Sequence, residues 1–560
     1  MQLHTRAFLI VACLAAPIAA FLAPLAAQQP APDTILFNGK IFTSDTAHPY
    51  VQALAIRGER IVATGDSGKI QALVGPRTRR IDLAGRVVIP GINDAHNHLG
   101  DALAPANTID LGLKTEDPSW AEIRGALSAK VAAVPRGTLI EATIGPKVFH
   151  DVEVTRDSLD KISHDDPVYL GTLTGHAYIM NSAALAKVGI HEDQRDPMGG
   201  RYERSADGRL TGVVREYATF RVNRSLVGLT SEATALKELH DVFLQAAKWG
   251  ITSIQDMSDA IEPGHAVALF EKTPTPIRIR VMRMPMTTPA GRDTQEGRSL
   301  PRHPAPLITV SGTKWLLDGV PLEFTFDPRE SHQHIAGPPF DSMFHDLPTT
   351  FPESEMKAML RESLENNDPL LLHVSGYGSA ARMLEAMESM GGAKVWNGKR
   401  VRFEHGDGLF PDLVPRVKEL GIVVVQNPVH LNSGPLLGGG NAFKEAQPLR
   451  SLLAAGIPVA LGSDGPMNPY LNIMFAVTHE NRPSEAITRE QAVVAYTLTS
   501  AYAEFAEKDK GSLEPGKLAD LAVLSQDIFT VPLPDLPKTE SVLTMVGGKT
   551  VYDAGILQAH

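Results

Sequence analysis

After Asp33 the chain opens with short apolar runs separated by Gly, Asn and Asp. Thr34-Ile-Leu-Phe-Asn38, Lys40-Ile-Phe-Thr43, Ala53-Leu-Ala-Ile56 and Arg60-Ile-Val-Ala-Thr64 read as strands, with turns between them. The pattern changes at Val87. From there, continuous apolar runs alternate with stretches of helical period. The runs are 87–92, 251–257, 277–284, 312–317, 370–374, 401–404, 422–426 and 458–461. Helices are predicted over 232–249, 353–366, 379–390 and 410–420. Eight strands apolar on both faces, alternating with helices, predict an α/β fold built on a parallel TIM (β/α)8 barrel.

The interval between the first two barrel strands is much the longest. It predicts an insertion over 101–235, with strand-like runs of its own at 138–144 and 167–173. Beyond the barrel, the turn-rich Gly511-Ser-Leu-Glu-Pro-Gly-Lys-Leu-Ala-Asp520 leads into two more runs, 521–524 and 541–546. These could rejoin the first strands of the chain in one small β-domain. The expected division is a β-domain over 28–87 and 506–560, with a barrel over 88–505.

Residues 1–27 read as a cleaved export signal. Arg6 is followed by the apolar run 7–20, and Leu25-Ala-Ala27 precedes polar residues. The expected location is periplasmic or secreted, with no membrane contact in the mature form. Cys13 is the one cysteine in the chain, so no intrachain disulfide and no Cys-rich zinc or iron–sulfur site can form. The composition is 43% hydrophobic and 21% charged, with a net charge of −11. A disordered or fibrous chain is excluded, and the acidic balance argues against nucleic acid as a partner. A small-molecule substrate is expected, and a homo-oligomer is left open.

The 19 histidines carry the chemistry. Asp94-Ala-His96-Asn-His98 follows the first barrel run, and alternate residues of an extended segment share a face. Lys314 lies in the fourth run, His373 ends the fifth, His405 ends the sixth and Asp464 follows the eighth. In a barrel the C-terminal strand ends face one pocket. His96, His98, Lys314, His373, His405 and Asp464 are thus candidate ligands for one or two divalent ions, zinc foremost. A carboxylated Lys314 would supply a bridging carbamate; otherwise Asp318 is a candidate partner for its ammonium. A second His-x-His, His332-Gln-His334, follows no strand and reads as a surface or substrate loop.

These motifs resemble the metal-dependent amidohydrolase superfamily, in its YtcJ-like branch that includes N-substituted formamide deformylases. The resemblance rests on Val88-Ile-Pro-Gly-Ile-Asn-Asp-Ala-His-Asn-His98, Gly175-His-Ala-Tyr-Ile-Met-Asn-Ser182, Thr211-Gly-Val-Val-Arg-Glu216, Gly250-Ile-Thr-Ser-Ile-Gln-Asp256, Lys314-Trp-Leu-Leu-Asp-Gly319, Arg402-Phe-Glu-His405, Gly462-Ser-Asp464 and Gly511–Asp520. It implies a distorted TIM (β/α)8 barrel plus a small β-sandwich built from both chain ends, and hydrolysis, usually of C–N bonds, by metal-activated water, with Asp464 as proton shuttle. His176 and Glu216 of the insertion, and His430 in Asn427-Pro-Val-His430, are then substrate-side groups. Two segments depart from the branch. His373-Val-Ser-Gly-Tyr-Gly378 lacks its usual Gly-Asp pair, and Val320-Pro-Leu-Glu-Phe-Thr-Phe326 lacks its small residues and Thr-Ala. Both departures bear on the substrate. An esterase, lactonase or deacetylase on the same centre is the nearest alternative, and a periplasmic binding protein without activity a distant one.

Overall fold

The computed structural model describes residues 30–103, 117–324, 341–432 and 440–559. The segment 1–27 read as an export signal, with Cys13, and His332 and His334 lie outside the described residues.

The barrel strands are β1 (Ile92–Asn97), β2 (Ile251–Ser258), β3 (Arg278–Arg283), β4 (Ile308–Leu316), β5 (Leu370–Val374), β6 (Arg402–His405), β7 (Val423–Gln426) and β8 (Val459–Leu461). They form one eight-stranded sheet in sequence order. Every neighbouring pair is parallel. The sheet is a nearly closed barrel. At the seam the Asp464 amide donates to the His96 carbonyl at 3.0 Å.

The helices between strands follow from their own sequences. Glu232–Lys248 is capped by Ser231, whose side chain accepts from the Thr234 amide. It buries Ala235, Leu239, Phe243, Ala246 and Ala247, one face at helical spacing. Glu353–Asn366 stops where Asn367 takes the left-handed conformation.

The first strand differs from expectation. Residues 87–92 are not the opening barrel strand. Val87–Pro90 instead pairs with Lys40–Phe42 and with Leu521–Leu524, so the barrel begins at Ile92 rather than at 88. The break falls at Pro90-Gly91. Proline has no amide to give a ladder; the Gly91 amide still bonds the Asp520 carbonyl at 2.9 Å, in register with Leu521–Leu524, and the Ile92 amide is the first to reach the barrel side, at the Gly250 carbonyl, 3.0 Å away. A side chain at Gly91 would also meet Thr252, with its Cβ 2.2 Å from Oγ1.

Two sheets draw strands from both ends of the chain. One runs Gln558–Ala559, Arg79–Asp82, Thr34–Phe37, Ala53–Arg57, Arg60–Gly65. The other runs Lys549–Asp553, Ser541–Val546, Leu521–Leu524, Val87–Pro90, Lys40–Phe42, Tyr50–Val51. Leu36, Ile56 and Ile81 of the first share a buried cluster with Ile41, Val523 and Leu543 of the second.

Between β1 and β2 the chain builds a five-stranded sheet. Ile140–Ile144 and Val168–Thr172 are parallel, and Ala177–Met180, Leu210–Glu216 and Gly200–Arg204 follow antiparallel. This sheet carries His176 and Glu216. No helix among the described residues is long and apolar enough to cross a membrane.

Candidate active site

A cavity of about 490 Å³ opens where β1, β4, β5 and β6 end and where the chain leaves β7 and β8. His96, His98, His176, Lys314, His373, His405, His430 and Asp464 line it. His96, His405 and Asp464 offer ligand atoms that lie within 4.8 Å of one another. The Asp464 carboxylate is the hub. Its Oδ1 is 3.2 Å from His98 Nε2 and 3.5 Å from His96 Nε2. Its Oδ2 is 3.3 Å from His430 Nε2 and 3.7 Å from His405 Nδ1. The His373 ring lies 4.4 Å from that of His405, centre to centre, and 5.2 Å from that of His176. Lys314 lines the same cavity, 1% exposed.

Each ring has its Nδ1 against an oxygen of a second residue. His96 Nδ1 donates to Glu404 at 2.8 Å, His98 to Asp259 at 2.8 Å and His373 to Asp318 at 2.7 Å. His405 Nδ1 donates to the Asn427 side-chain carbonyl and His176 Nδ1 to Glu216, both at 2.8 Å. His430 Nδ1 lies 3.4 Å from Asp407. A ring whose Nδ1–H is committed to an oxygen keeps Nε2 as its remaining ligand atom. That donor set, imidazole nitrogens around one carboxylate, suits a divalent zinc-type ion.

The electrostatics agree with this assignment. Burial lowers His96 to about 4, helped by the Lys314 charge. Burial also carries His373 and His405 well below the ordinary imidazole range. Neutral imidazole is the ligating form. Burial opposes ionisation of Asp464, yet the ring of histidines around it, with hydrogen bonds from His430 and His98, holds it well below the carboxylate range. Burial likewise opposes a charged His430, but Asp407 and Asp464 raise it to about 10. His176 is raised against burial by the Glu216 charge.

The backbone is strained at this site. Glu216, His405 and Asp464 all have positive φ, of 52°, 72° and 45°. Non-glycine residues rarely adopt that region, and such outliers gather at functional sites.

The partners of the rings were not legible as such. Glu404 sits inside Arg402-Phe-Glu-His405, and Asn427 opens Asn427-Pro-Val-His430, yet nothing in those strings says which ring each one holds. Asp259 and Asp407 gave no signal. Asp318 holds His373 and not Lys314. Its two oxygens are taken by His373, the amides of Ser375 and Gly376, and the Ser379 hydroxyl. The departing segment after His373 thus supplies amides that orient a site histidine, while Val320 and Ser375 line the cavity.

Comparison with known proteins places these features in a family. The model for the amidohydrolase family matches residues 79–552. The protein LONG AFTER FAR-RED 3 of Arabidopsis thaliana is 28% identical over 93% of this chain and 91% of its own length. An N-substituted formamide deformylase of Arthrobacter pascens is 26% identical over 93% of this chain and 98% of its own. Among solved structures, an uncharacterized metal-dependent hydrolase of Pyrococcus horikoshii OT3 aligns with a TM-score of 0.64. It shares 20% identity and covers 90% of this chain and 99% of its own.

Proposed function

Since the chain belongs to the amidohydrolase family and is a metal-dependent hydrolase, we propose that it cleaves an amide-type C–N bond of a small molecule. The observation that carries the reading is the anionic Asp464 set among four imidazoles, with His96, His98 and His430 facing it through Nε2 and His405 through Nδ1. His96, His98, His373, His405 and Asp464 would hold one or two divalent ions, zinc foremost, with a carboxylated Lys314 as a bridging ligand. An ion held there supplies Lewis-acid polarisation of a carbonyl and a hydrolytic water of lowered pKa.

The chain's own residues do the rest. Asp464 accepts the proton of the attacking water and returns it to the leaving nitrogen. His430 fixes Asp464 Oδ2 from the other side and keeps the carboxylate ionised until it is used. His176, braced by Glu216, faces the substrate carbonyl from the insertion and donates to its developing negative charge. A cavity of about 490 Å³ suits a small molecule. The similarity to a formamide deformylase supports amides over esters.

The test is a panel of matched amides, esters and lactones with zinc-loaded protein, alongside metal analysis. Amine release faster than ester cleavage supports the reading. Ester or lactone turnover alone moves it to the nearest alternative. Absence of stoichiometric divalent metal removes it.

Export rests on the order of charge, apolar run and small residues in 1–27. N-terminal sequencing of secreted protein beginning at Gln28 supports it.

A further inference from the structure

The turn that presents His176 is held from two sides. It joins two strands of the insertion, Val168–Thr172 and Ala177–Met180, and Thr172, Thr174 and His176 all line the cavity. The holds from the insertion itself are to backbone. The Leu173 amide donates to the Ile144 carbonyl at 3.0 Å, the Gly175 amide to the Thr172 carbonyl at 3.0 Å and the Glu216 amide to the His176 carbonyl at 2.9 Å. Gly175 reverses the chain with φ of 75°, a conformation glycine adopts freely.

From the barrel side the hold is Glu323. It lies in the short helix Pro321–Phe324 after β4, within one of the two segments that depart from the related branch. Its carboxylate accepts from the Thr174 hydroxyl, two residues before His176. Its carbonyl accepts from Arg215 Nη1 at 2.8 Å, and the next residue, Glu216, braces the His176 ring. Burial opposes a charged His176, while Glu216 and after it Glu323 raise it, so both carboxyls act on the one ring. Glu323 is 3% exposed, and its Oε2 has no hydrogen-bond partner among the described residues. A buried carboxyl with an oxygen to spare costs stability. The tie is therefore a poor stabiliser, and what it fixes is position.

We infer that Glu323 is a positioning residue: through the Thr174 hydroxyl it sets where the insertion places the His176 ring in the cavity, 5.2 Å from that of His373. The inference rests on the reading above for what His176 does there. A donor aimed at a developing charge works only from the right place, so a shift of about 1 Å can cost up to about 100-fold in rate.

The experiment uses the full zinc-loaded chain and reads His176 in two ways. One is the low-field proton NMR signal of its Nδ1–H, identified as the signal missing in His176→Gln. The other is turnover of an amide. In Glu323→Ala the signal should move, and kcat and kcat/KM should fall together by up to about 100-fold with KM unchanged. Thr174→Val cuts the same contact from the other side and should do the same, which keeps the test open should Glu323→Ala fail to fold. Glu323→Gln keeps an oxygen for Thr174 and should restore most of both readouts. In a His176→Gln background Glu323→Ala should cost little further turnover. A signal unmoved in Glu323→Ala and Thr174→Val, or a loss of turnover that adds in full to that of His176→Gln, overturns the inference. A signal that moves while turnover stays leaves Glu323 positioning the ring and sinks the role given to His176 in hydrolysis.

Discussion

Glu404 and His96 meet through a 2.8 Å hydrogen bond with both side chains sealed from solvent, at 0% and 1% exposure. Glu404 is itself clamped by Arg402, whose Nε and Nη2 reach its two oxygens at 2.8 and 3.0 Å. Arg402 also donates to the Ala95 carbonyl at 2.7 Å, one residue before the histidine. One guanidinium thus fixes both the ring partner of His96 and the backbone beside it.

The roles of the two clamp residues separate on mutation. Glu404→Gln keeps the volume and an oxygen for His96 but loses the charge. It should weaken metal affinity by roughly 10- to 100-fold with little change in Tm. Arg402→Ala leaves the Glu404 carboxylate buried without its partner, a cost of about 3–5 kcal/mol, and should act chiefly on stability. Metal titration and thermal melts of both variants check the split. Equal metal affinity in Glu404→Gln and wild type rejects the bracing role.

Asp464→Asn separates ligation from proton transfer. The carboxamide still offers an oxygen to an ion but accepts no proton. The variant should retain bound metal and lose about 10²- to 10⁴-fold in kcat. Turnover near the wild-type level rejects the shuttle.

Lys314 is enclosed in the barrel interior, and burial lowers its pKa to about 8. A larger neutral fraction near neutral pH favours reaction with CO₂, because the free amine is the nucleophile. Intact-mass measurement under non-denaturing conditions should show one added CO₂, lost on acidification. Metal content and activity of protein depleted of bicarbonate should fall together and return when it is restored. Full activity with an unmodified mass would falsify the carbamate.

How far the sequence disclosed this site depends on the kind of information each feature carries. The barrel was legible because strands buried on both faces leave unbroken apolar runs. His96, His98, His373, His405 and Asp464 were legible because each falls at or just beyond a strand end, where topology brings all of them to one mouth. The ring partners were not, because a hydrogen bond between Asp259 and His98 spans 161 residues and leaves no local trace. Asp318 shows the limit most plainly. Its place near the pocket was readable, but its partner depends on strand register: His373 pairs across with Leu316, two residues short of it. The first strand was misplaced for a related reason. Val87–Pro90 and Ile92–Asn97 are both buried and nearly continuous, and the change of sheet turns on Pro90 and Gly91.

Gly462 tests whether the barrel seam and the metal centre are one structure. It follows β8 and lies directly against β1. A Cβ added there would sit 2.4 Å from both the backbone nitrogen and the Cβ of His96. Those are backbone and ligand atoms, so no flexible side chain can give way. Gly462→Ala should push β1 and β8 apart, lengthen the Asp464-to-His96 backbone bond at the seam and separate two ligands of the proposed centre. The expected outcome is loss of stoichiometric metal together with a lower Tm, the latter reinforced because an ion that binds only the folded chain stabilises it. The conservative control is Gly516→Ala. That glycine, unlike Gly462, has positive φ, 95°, and it meets nothing within 4 Å of an added Cβ. The control should lower Tm without touching metal content. Metal analysis and melts of the two variants decide the matter: full metal occupancy in Gly462→Ala would show that the seam can open without disturbing the site.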